Sequence, residues 1–98
     1  MKGLEMSRYT IRVELHDASW QDYVDLARRL AAHGIVDVIR SDDGRTYKLP
    51  PAEYNYQGPA TRDQILTVAK DCAASVVSSY AVLVTDAVAR TWHGLKAA

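Results

Sequence analysis

The fold is decided by residues 41–58, which read SDDGRTYKLPPAEYNYQG. The stretch opens with a turn, because Asp-Gly is one of the strongest hairpin signals in a sequence. A short alternating strand follows at 45–49, and the prolines at 50–51 end it because neither can donate a hydrogen bond to a sheet. Tyr54 and Tyr56 then alternate with polar residues, which predicts that a short extended piece resumes at a sheet edge. The stretch is therefore the hinge between two similar strand-and-helix units.

The unit before the hinge contains a strand, a helix and a second strand. Residues 8–15 alternate between apolar and polar side chains, which is typical of a strand with one face in a core. Ser19, or Asp17 before it, caps a helix at about 20–33 that ends at the following glycine. A second strand follows at 35–40. The apolar face of the helix is predicted to contain Trp20, Tyr23, Val24, Ala27, Leu30 and Ala31.

The unit after the hinge repeats this order. Thr61 and Gln64 form a capping box for a helix that ends at about Val77. A strongly apolar strand is predicted at 80–85, and an added C-terminal strand at 90–95. The order strand, helix, strand, strand, helix, strand predicts an α+β protein, a ferredoxin-like βαββαβ sandwich with an antiparallel sheet and two helices on one face.

Composition is typical of one small soluble domain. The 98 residues are 48% hydrophobic and 24% charged, and we assign 8–95 to the domain and 1–7 to a flexible N-terminal tail. Twelve basic and twelve acidic side chains balance to zero, which disfavours avid, sequence-independent binding to nucleic acid. With Cys72 alone, no signal peptide and no long apolar run, we expect a cytoplasmic protein.

Residues that could perform chemistry are few. The sequence has no glycine-rich phosphate loop, no Cys or His cluster at metal spacing and no serine elbow, so no metal site is predicted and no cofactor is named. His16 follows the first strand between Glu14 and Asp17 and so has acid–base partners nearby, although a solvated loop histidine has the same signature. Asp42 and Asp43 resemble a cation site, but turn chemistry explains both of them.

Basic and aromatic side chains support an RNA-binding hypothesis. The basic candidates are on or beside strands that are predicted to share a sheet: Arg8, Arg12, Arg40, Arg45 and Lys48. If their outward faces align, they form a phosphate-facing patch, and Tyr54 and Tyr56 could stack on bases. The alternative is that the charges solvate an open sheet face and the two tyrosines fill the core or a dimer interface.

Three strings in the chain resemble short bacterial proteins of the GhoS family of endoribonuclease antitoxins. They are RYTIRVELHDASWQDY at 8–23, SDDGRTYKLPPAEYNYQG at 41–58 and YAVLVTDAVARTWHGL at 80–95. The resemblance spans 8–95. It implies a ferredoxin-like fold, similar to that of small CRISPR-associated ribonucleases, and an endoribonuclease that acts as an antitoxin by cleaving single-stranded toxin messenger RNA.

The resemblance also implies where catalysis would take place. Ribonuclease-like relatives carry an acidic residue at the end of the first strand, which Glu14 or Asp17 would match. RNA cleavage needs a group that deprotonates a 2′-hydroxyl or activates water, and another that stabilises the phosphorane. His16 or Glu14 fits the first role, and Arg12 or Arg45 the second. The predicted catalytic residues are Glu14, His16, Asp17 and Arg12, and the predicted RNA-binding residues are Arg8, Arg45, Lys48, Tyr54 and Tyr56.

The expected partner is single-stranded RNA, with no DNA and no membrane, and the expected assembly is a homodimer through the sheet. A different hypothesis is a non-enzymatic protein- or RNA-binding module that uses the open sheet face. A regulatory domain that binds a small molecule is a third, on fold analogy alone.

Overall fold

The structure, a computed structural model, describes residues 6–98. Its elements are β1 (Ser7–Leu15), α1 (Trp20–Ala31), β2 (Val38–Arg40), β3 (Thr46–Lys48), β4 (Glu53–Gly58), α2 (Arg62–Ala74) and β5 (Tyr80–Asp86). β1 is the middle strand of an antiparallel sheet with the order β4-β1-β5. β2 and β3 form a hairpin, which a bridge between Val36 and Asn55 joins to the outer edge of β4. The ferredoxin-like α+β fold is confirmed.

The core lies on one face of β1, as the alternation of that strand predicts. Ile11 and Val13 are fully buried, whereas Arg12 and Glu14, which alternate with them, point to the other side and are exposed. Both helices pack on the apolar face, so the opposite face of the sheet has no helical layer. The helical part of the core consists of Leu26, Leu30, Ile65, Ala69, Cys72 and Ala73.

Each helix begins at a capping box. The Ser19 hydroxyl accepts a hydrogen bond from the Asp22 backbone N–H, and the Asp22 carboxylate accepts one from the Ser19 N–H, at 3.1 and 2.9 Å. Thr61 and Gln64 make the same reciprocal pair at 3.1 and 2.8 Å. These bonds satisfy N–H groups that have no partner inside the helix. The prediction at 61–64 is confirmed, and Ser19 rather than Asp17 is the first cap.

Trp20 is not on the buried face of α1, and its side chain is 80% exposed. The buried stripe is centred on Leu26 and Leu30. At 3.6 residues per turn, Trp20 is about a quarter turn from that stripe. The helices also end earlier than predicted, at 31 and 74, while Gly34 has the positive φ of 77° that a helix stop favours.

The strand after the hairpin is longer and more fully paired than predicted. Glu53–Gly58 is a full strand that pairs with β1 over its length, whereas 45–49 shortens to β3, whose partner is β2 alone among named strands. Burial explains the choice, because Tyr54 and Tyr56 reach the core and Tyr47 is only partly covered. The segment that pairs with β1 is therefore the one that brings two aromatic rings to the core.

The predicted strand at 90–95 is wrong. That segment has no regular pairing, and the C-terminal contact with a strand comes later, where Ala97 bridges Tyr47 of β3. Lys48 N–H donates to the Lys96 carbonyl at 2.8 Å, and Ala98 N–H donates to the Thr46 carbonyl at 3.0 Å. The chain from Ala87 onward is therefore a connection from β5 to the free edge of the hairpin.

The predicted tail at 1–7 lies outside the described residues as far as Glu5. Ser7 is already the first residue of β1 and is paired with Gly58.

Gly58 is required by the ring of Tyr56, which lies directly over it. A Cβ added at Gly58 would be 2.7 Å from the Tyr56 Cζ. That ring cannot move freely, because it stacks on Tyr9 with 6.0 Å between centroids, and its hydroxyl accepts a hydrogen bond from the Ala60 N–H at 3.2 Å.

We expect Gly58→Ala to lower the free energy of unfolding by about 1–3 kcal/mol, because the new methyl group must displace a packed ring. Urea denaturation followed by circular dichroism measures the change. The control is Gln57→Ala, at an exposed position of the same strand, which should stay within about 0.5 kcal/mol of the unmodified chain. Equal stability of the two variants would contradict the close packing over Gly58.

Candidate active site

Three polar side chains form a hydrogen-bonded chain where β1 ends and β5 begins. His16 Nε2 is 3.3 Å from Glu14 Oε1, and His16 Nδ1 is 2.7 Å from the Ser79 hydroxyl. The backbone closes the same corner, since the His16 N–H donates to the Ser79 carbonyl at 3.0 Å. Glu14 and His16 are both substantially exposed. The antiparallel pairing of β1 with β5 therefore holds an acid, an imidazole and a hydroxyl together at an accessible corner.

The carboxylate decides which nitrogen of a neutral His16 carries the proton. An ionised carboxylate only accepts hydrogen bonds, so Nε2 must be the N–H that donates to Glu14. Nδ1 then has a free lone pair, and the Ser79 hydroxyl donates to it. The basic nitrogen of the imidazole is thus Nδ1, and the hydrogen bond to Glu14 orients the ring.

Asp17 takes no part in this chain of hydrogen bonds. It occupies the turn after β1 with a φ of 53°, a left-handed conformation in which Asp is enriched among residues other than glycine. The backbone therefore accounts for Asp17, and Glu14 is the acid that meets His16. Arg12 is two residues before Glu14 on the exposed face of β1, between Glu53 and Leu83 on the neighbouring strands.

The basic residues of the predicted RNA patch are divided between β1 and the hairpin. Arg8 and Arg12 are on β1, but Arg45 and Lys48 belong to the hairpin. Each hairpin residue has a carboxylate partner, since Arg45 Nε is 3.6 Å from Asp43 and Lys48 Nζ is 3.0 Å from Asp37. Arg45 and Lys48 therefore already have carboxylate partners, and the phosphate-facing patch stays a prediction.

Tyr54 and Tyr56 are not available to stack on bases. They are only 4% and 9% exposed and belong to the main core. β4 turns them to the helical face because they are opposite Ile11 and Tyr9 of β1. Their assignment as RNA-stacking residues is wrong, and the alternative that they fill the core is confirmed.

The Asp42-Asp43 pair belongs to the turn. The Asp43 carboxylate accepts hydrogen bonds from the Ser41 hydroxyl and, at 3.1 Å, from the Arg45 N–H. The Ser41 hydrogen bond, with the smaller effect of the Arg45 N–H, lowers the pKa of Asp43 below its ordinary value. Gly44 has a φ of 87°, as a tight Asp-Gly turn requires. Turn chemistry therefore explains Asp43, and Asp42 occupies the same turn.

Two polar residues near these sites were not predicted from the sequence. Ser79 precedes β5, and only the strand register shows that it meets His16. Arg90 was assigned to a strand, but its guanidinium donates to Thr10 Oγ1 at 3.1 Å and to Asn55 Oδ1 at 2.8 Å on the face without helices. No periodic pattern marks Arg90, because it lies in an irregular connection.

Searches for other signs of function give few results. Within residues 6–98, no group of three or more His, Cys, Asp or Glu side chains is placed to hold a metal ion. No helix among the same residues is long and apolar enough to cross a membrane. No family model, curated protein or solved structure matches the chain.

Tyr54 supplies a pH test of the core. Burial, with smaller effects from Asp37 and Tyr23, raises the pKa of Tyr54 to about 12, so folding favours the protonated phenol. This stabilisation is complete below the unfolded value of about 10 and is lost as the pH rises toward 12. We expect Tyr54→Phe to lose less stability than the unmodified chain between pH 9.5 and 11.5, roughly the window that these values define.

Denaturant midpoints at several pH values measure this difference. Tyr80→Phe is the matched control, because it makes the same substitution at a tyrosine that is only partly buried. Parallel curves for Tyr54→Phe and the unmodified chain would contradict the buried phenol.

Proposed function

We propose that this protein is a GhoS-like endoribonuclease of the cytoplasm that acts as an antitoxin by cleaving single-stranded toxin messenger RNA. The observation that carries the proposal is the hydrogen-bonded chain of Glu14, His16 and Ser79 at an exposed corner of the sheet. Arg12 on the same face of β1 adds a cation beside it. The ferredoxin-like fold and the resemblance over 8–95 support the same function, and a homodimer is the proposed assembly.

The reaction that fits this chain of residues is an internal transfer within RNA. His16 Nδ1 takes the proton of a ribose 2′-hydroxyl, in place of the Ser79 hydroxyl that it holds without substrate. The 2′-oxygen then bonds to the adjacent phosphorus, and the bond from phosphorus to the 5′-oxygen of the next nucleotide breaks. The leaving oxygen takes a proton from water, and the imidazolium returns its own to solvent. The products are a 2′,3′-cyclic phosphate and a 5′-hydroxyl.

Glu14 and Arg12 have separate roles in this mechanism. Glu14 fixes the His16 ring and stabilises the imidazolium that forms when the 2′-hydroxyl is deprotonated. Arg12 is placed to neutralise the charge that develops on the phosphorane oxygens, which is where a preorganised donor reduces the barrier most. Arg12 and Glu14 are two residues apart on β1, so their side chains project from the same face of the strand. One strand therefore positions both groups.

A binding module without turnover is the second candidate. The observation that favours it is Leu83, which is 62% exposed beside Arg12 on the sheet face that no helix covers. An exposed apolar side chain with a cation next to it can contact a base and a phosphate of bound RNA. On this alternative the protein would retain RNA and leave it intact.

The test is cleavage of a mixed-sequence single-stranded RNA, with and without magnesium or EDTA. We expect His16→Ala to reduce the rate by about 10²–10⁴-fold, because general base catalysis contributes that much. Arg12→Ala should cost about 100-fold through lost charge stabilisation, and Glu14→Ala should also be slower. Ser79→Ala should retain activity, since its hydroxyl only occupies the nitrogen that the substrate uses.

Matched controls are available on α1 and just after it. His33→Ala and Arg28→Ala remove an exposed histidine and an exposed arginine away from the corner, and both should cleave at the full rate. Undiminished cleavage by the His16, Arg12 and Glu14 variants would reject this site. RNA retained without cleavage by the unmodified chain would favour the binding module.

A further inference from the structure

A cluster of basic side chains lies at the opposite end of β1 from His16. Arg8 from β1, Arg40 from the end of β2 and Arg90 from the C-terminal connection line one cavity of about 280 Å³. Its other walls are Ile39, Ser41, Asp42, Thr91 and Trp92. This volume is near the lower end of those of small-molecule sites, so the cavity suits a group the size of a phosphate with its immediate neighbours.

Two of the three arginines are held by the fold. Arg90 Nη1 donates to Thr10 Oγ1 and Asn55 Oδ1, and Arg8 Nη2 donates to the Val88 carbonyl at 3.1 Å. These acceptors are neutral, so both guanidinium groups keep their full charge, and each has further N–H donors to offer. Arginines that are already oriented lose less conformational freedom when they bind an anion.

Within the part of the chain that the structure describes, the cavity wall contains three arginines and one acidic residue. Among residues 6–98, no carboxylate lies within 4.0 Å of Arg8, Arg40 or Arg90 in an ion pair, and Asp42 is the one acid in the cavity wall. Desolvation, followed by the nearby charge of Arg8, lowers the pKa of Arg90. Like charges that converge in a partly buried place are costly unless an anion relieves them. The charge of the cavity wall is therefore complementary to a singly or doubly charged oxyanion.

The site is in line with the catalytic corner. Arg90 contacts Thr10, and Thr10, Arg12 and Glu14 project from the same face of β1. Thr10 and Glu14 are about 13 Å apart along the strand. A single RNA strand that follows this face would meet the arginines, then Arg12, then Glu14 and His16.

We propose that Arg8, Arg40 and Arg90 form a phosphate subsite that holds a phosphodiester of the RNA strand away from the bond that is cut. This inference rests on the proposed function for the identity of the ligand. Phosphodiesters suit three convergent guanidinium groups because each can accept charge-assisted hydrogen bonds from more than one arginine. The same chemistry would hold a free phosphate, so the experiment must separate the two sources.

The first arm measures binding of a short 2′-O-methyl RNA, which has no 2′-hydroxyl and so cannot undergo the proposed cleavage. We expect Arg40→Ala to raise Kd about tenfold, the size of one lost hydrogen bond to a charged group, and to reduce the salt dependence by about 0.7 in log–log slope. Arg90→Lys should also weaken binding, because lysine cannot reproduce the guanidinium fork. The control Arg28→Ala, at an exposed arginine of α1, should bind as the unmodified chain does.

The second arm titrates inorganic phosphate against Trp92 fluorescence in a Trp20→Phe chain, in which Trp92 is the remaining tryptophan. A response to phosphate with no binding of 2′-O-methyl RNA would overturn the RNA assignment and identify a free-phosphate site. Unchanged RNA affinity in both Arg40→Ala and Arg90→Lys would overturn the subsite, as would no binding of either probe by the unmodified chain. Weaker RNA binding by these variants would support the subsite even if no RNA is ever cleaved.

Discussion

The alternation of side chains along β1 is the constraint on which the rest of the structure depends. β1 pairs on both sides, with β4 and β5, so a shift of one residue would move every apolar side chain out of the core. Ile11 and Val13 fix the register by complete burial. The same register then determines that Arg12 and Glu14 face away from the helices. Core packing and the candidate chemistry are therefore two consequences of one strand pattern.

The two ends of β1 differ in chemistry because different segments meet them. At the C-terminal end, the start of β5 brings Ser79 to His16 and closes an acid–base corner. At the N-terminal end, the connection after β5 returns across the open face and brings Arg90 toward Arg8. A chain with no net charge can therefore still concentrate basic groups in one place, because acidic side chains lie in other parts of the structure. Asp43 pairs with Arg45, and Asp37 pairs with Lys48.

Local patterns predicted the parts of the fold that depend on neighbours in sequence. The period of two at 8–15, the capping box at Thr61, and the Asp-Gly turn each use contacts a few residues apart, so each was found without the structure. Tyr54 and Tyr56 show the limit of this reasoning. Alternation placed them on one face of a strand, but only the pairing of β4 with β1 determines that this face is the buried one.

The candidate site was predictable to the same extent and for the same reason. Glu14 and His16 are two residues apart, so their contact follows from the end of a strand, whereas Ser79 and Arg90 reach their partners across 63 and 80 residues. Contacts of that separation depend on the order of strands in the sheet and on the path of an irregular connection, which no local spacing encodes. An RNA strand along β1 would use both kinds of contact at once. In the proposed mechanism, Glu14 and His16 would perform the chemistry. Arg90 would determine how tightly and in which register the RNA strand is held. Under the proposed function, substitutions in the connection after β5 would therefore alter affinity and leave the chemical step intact.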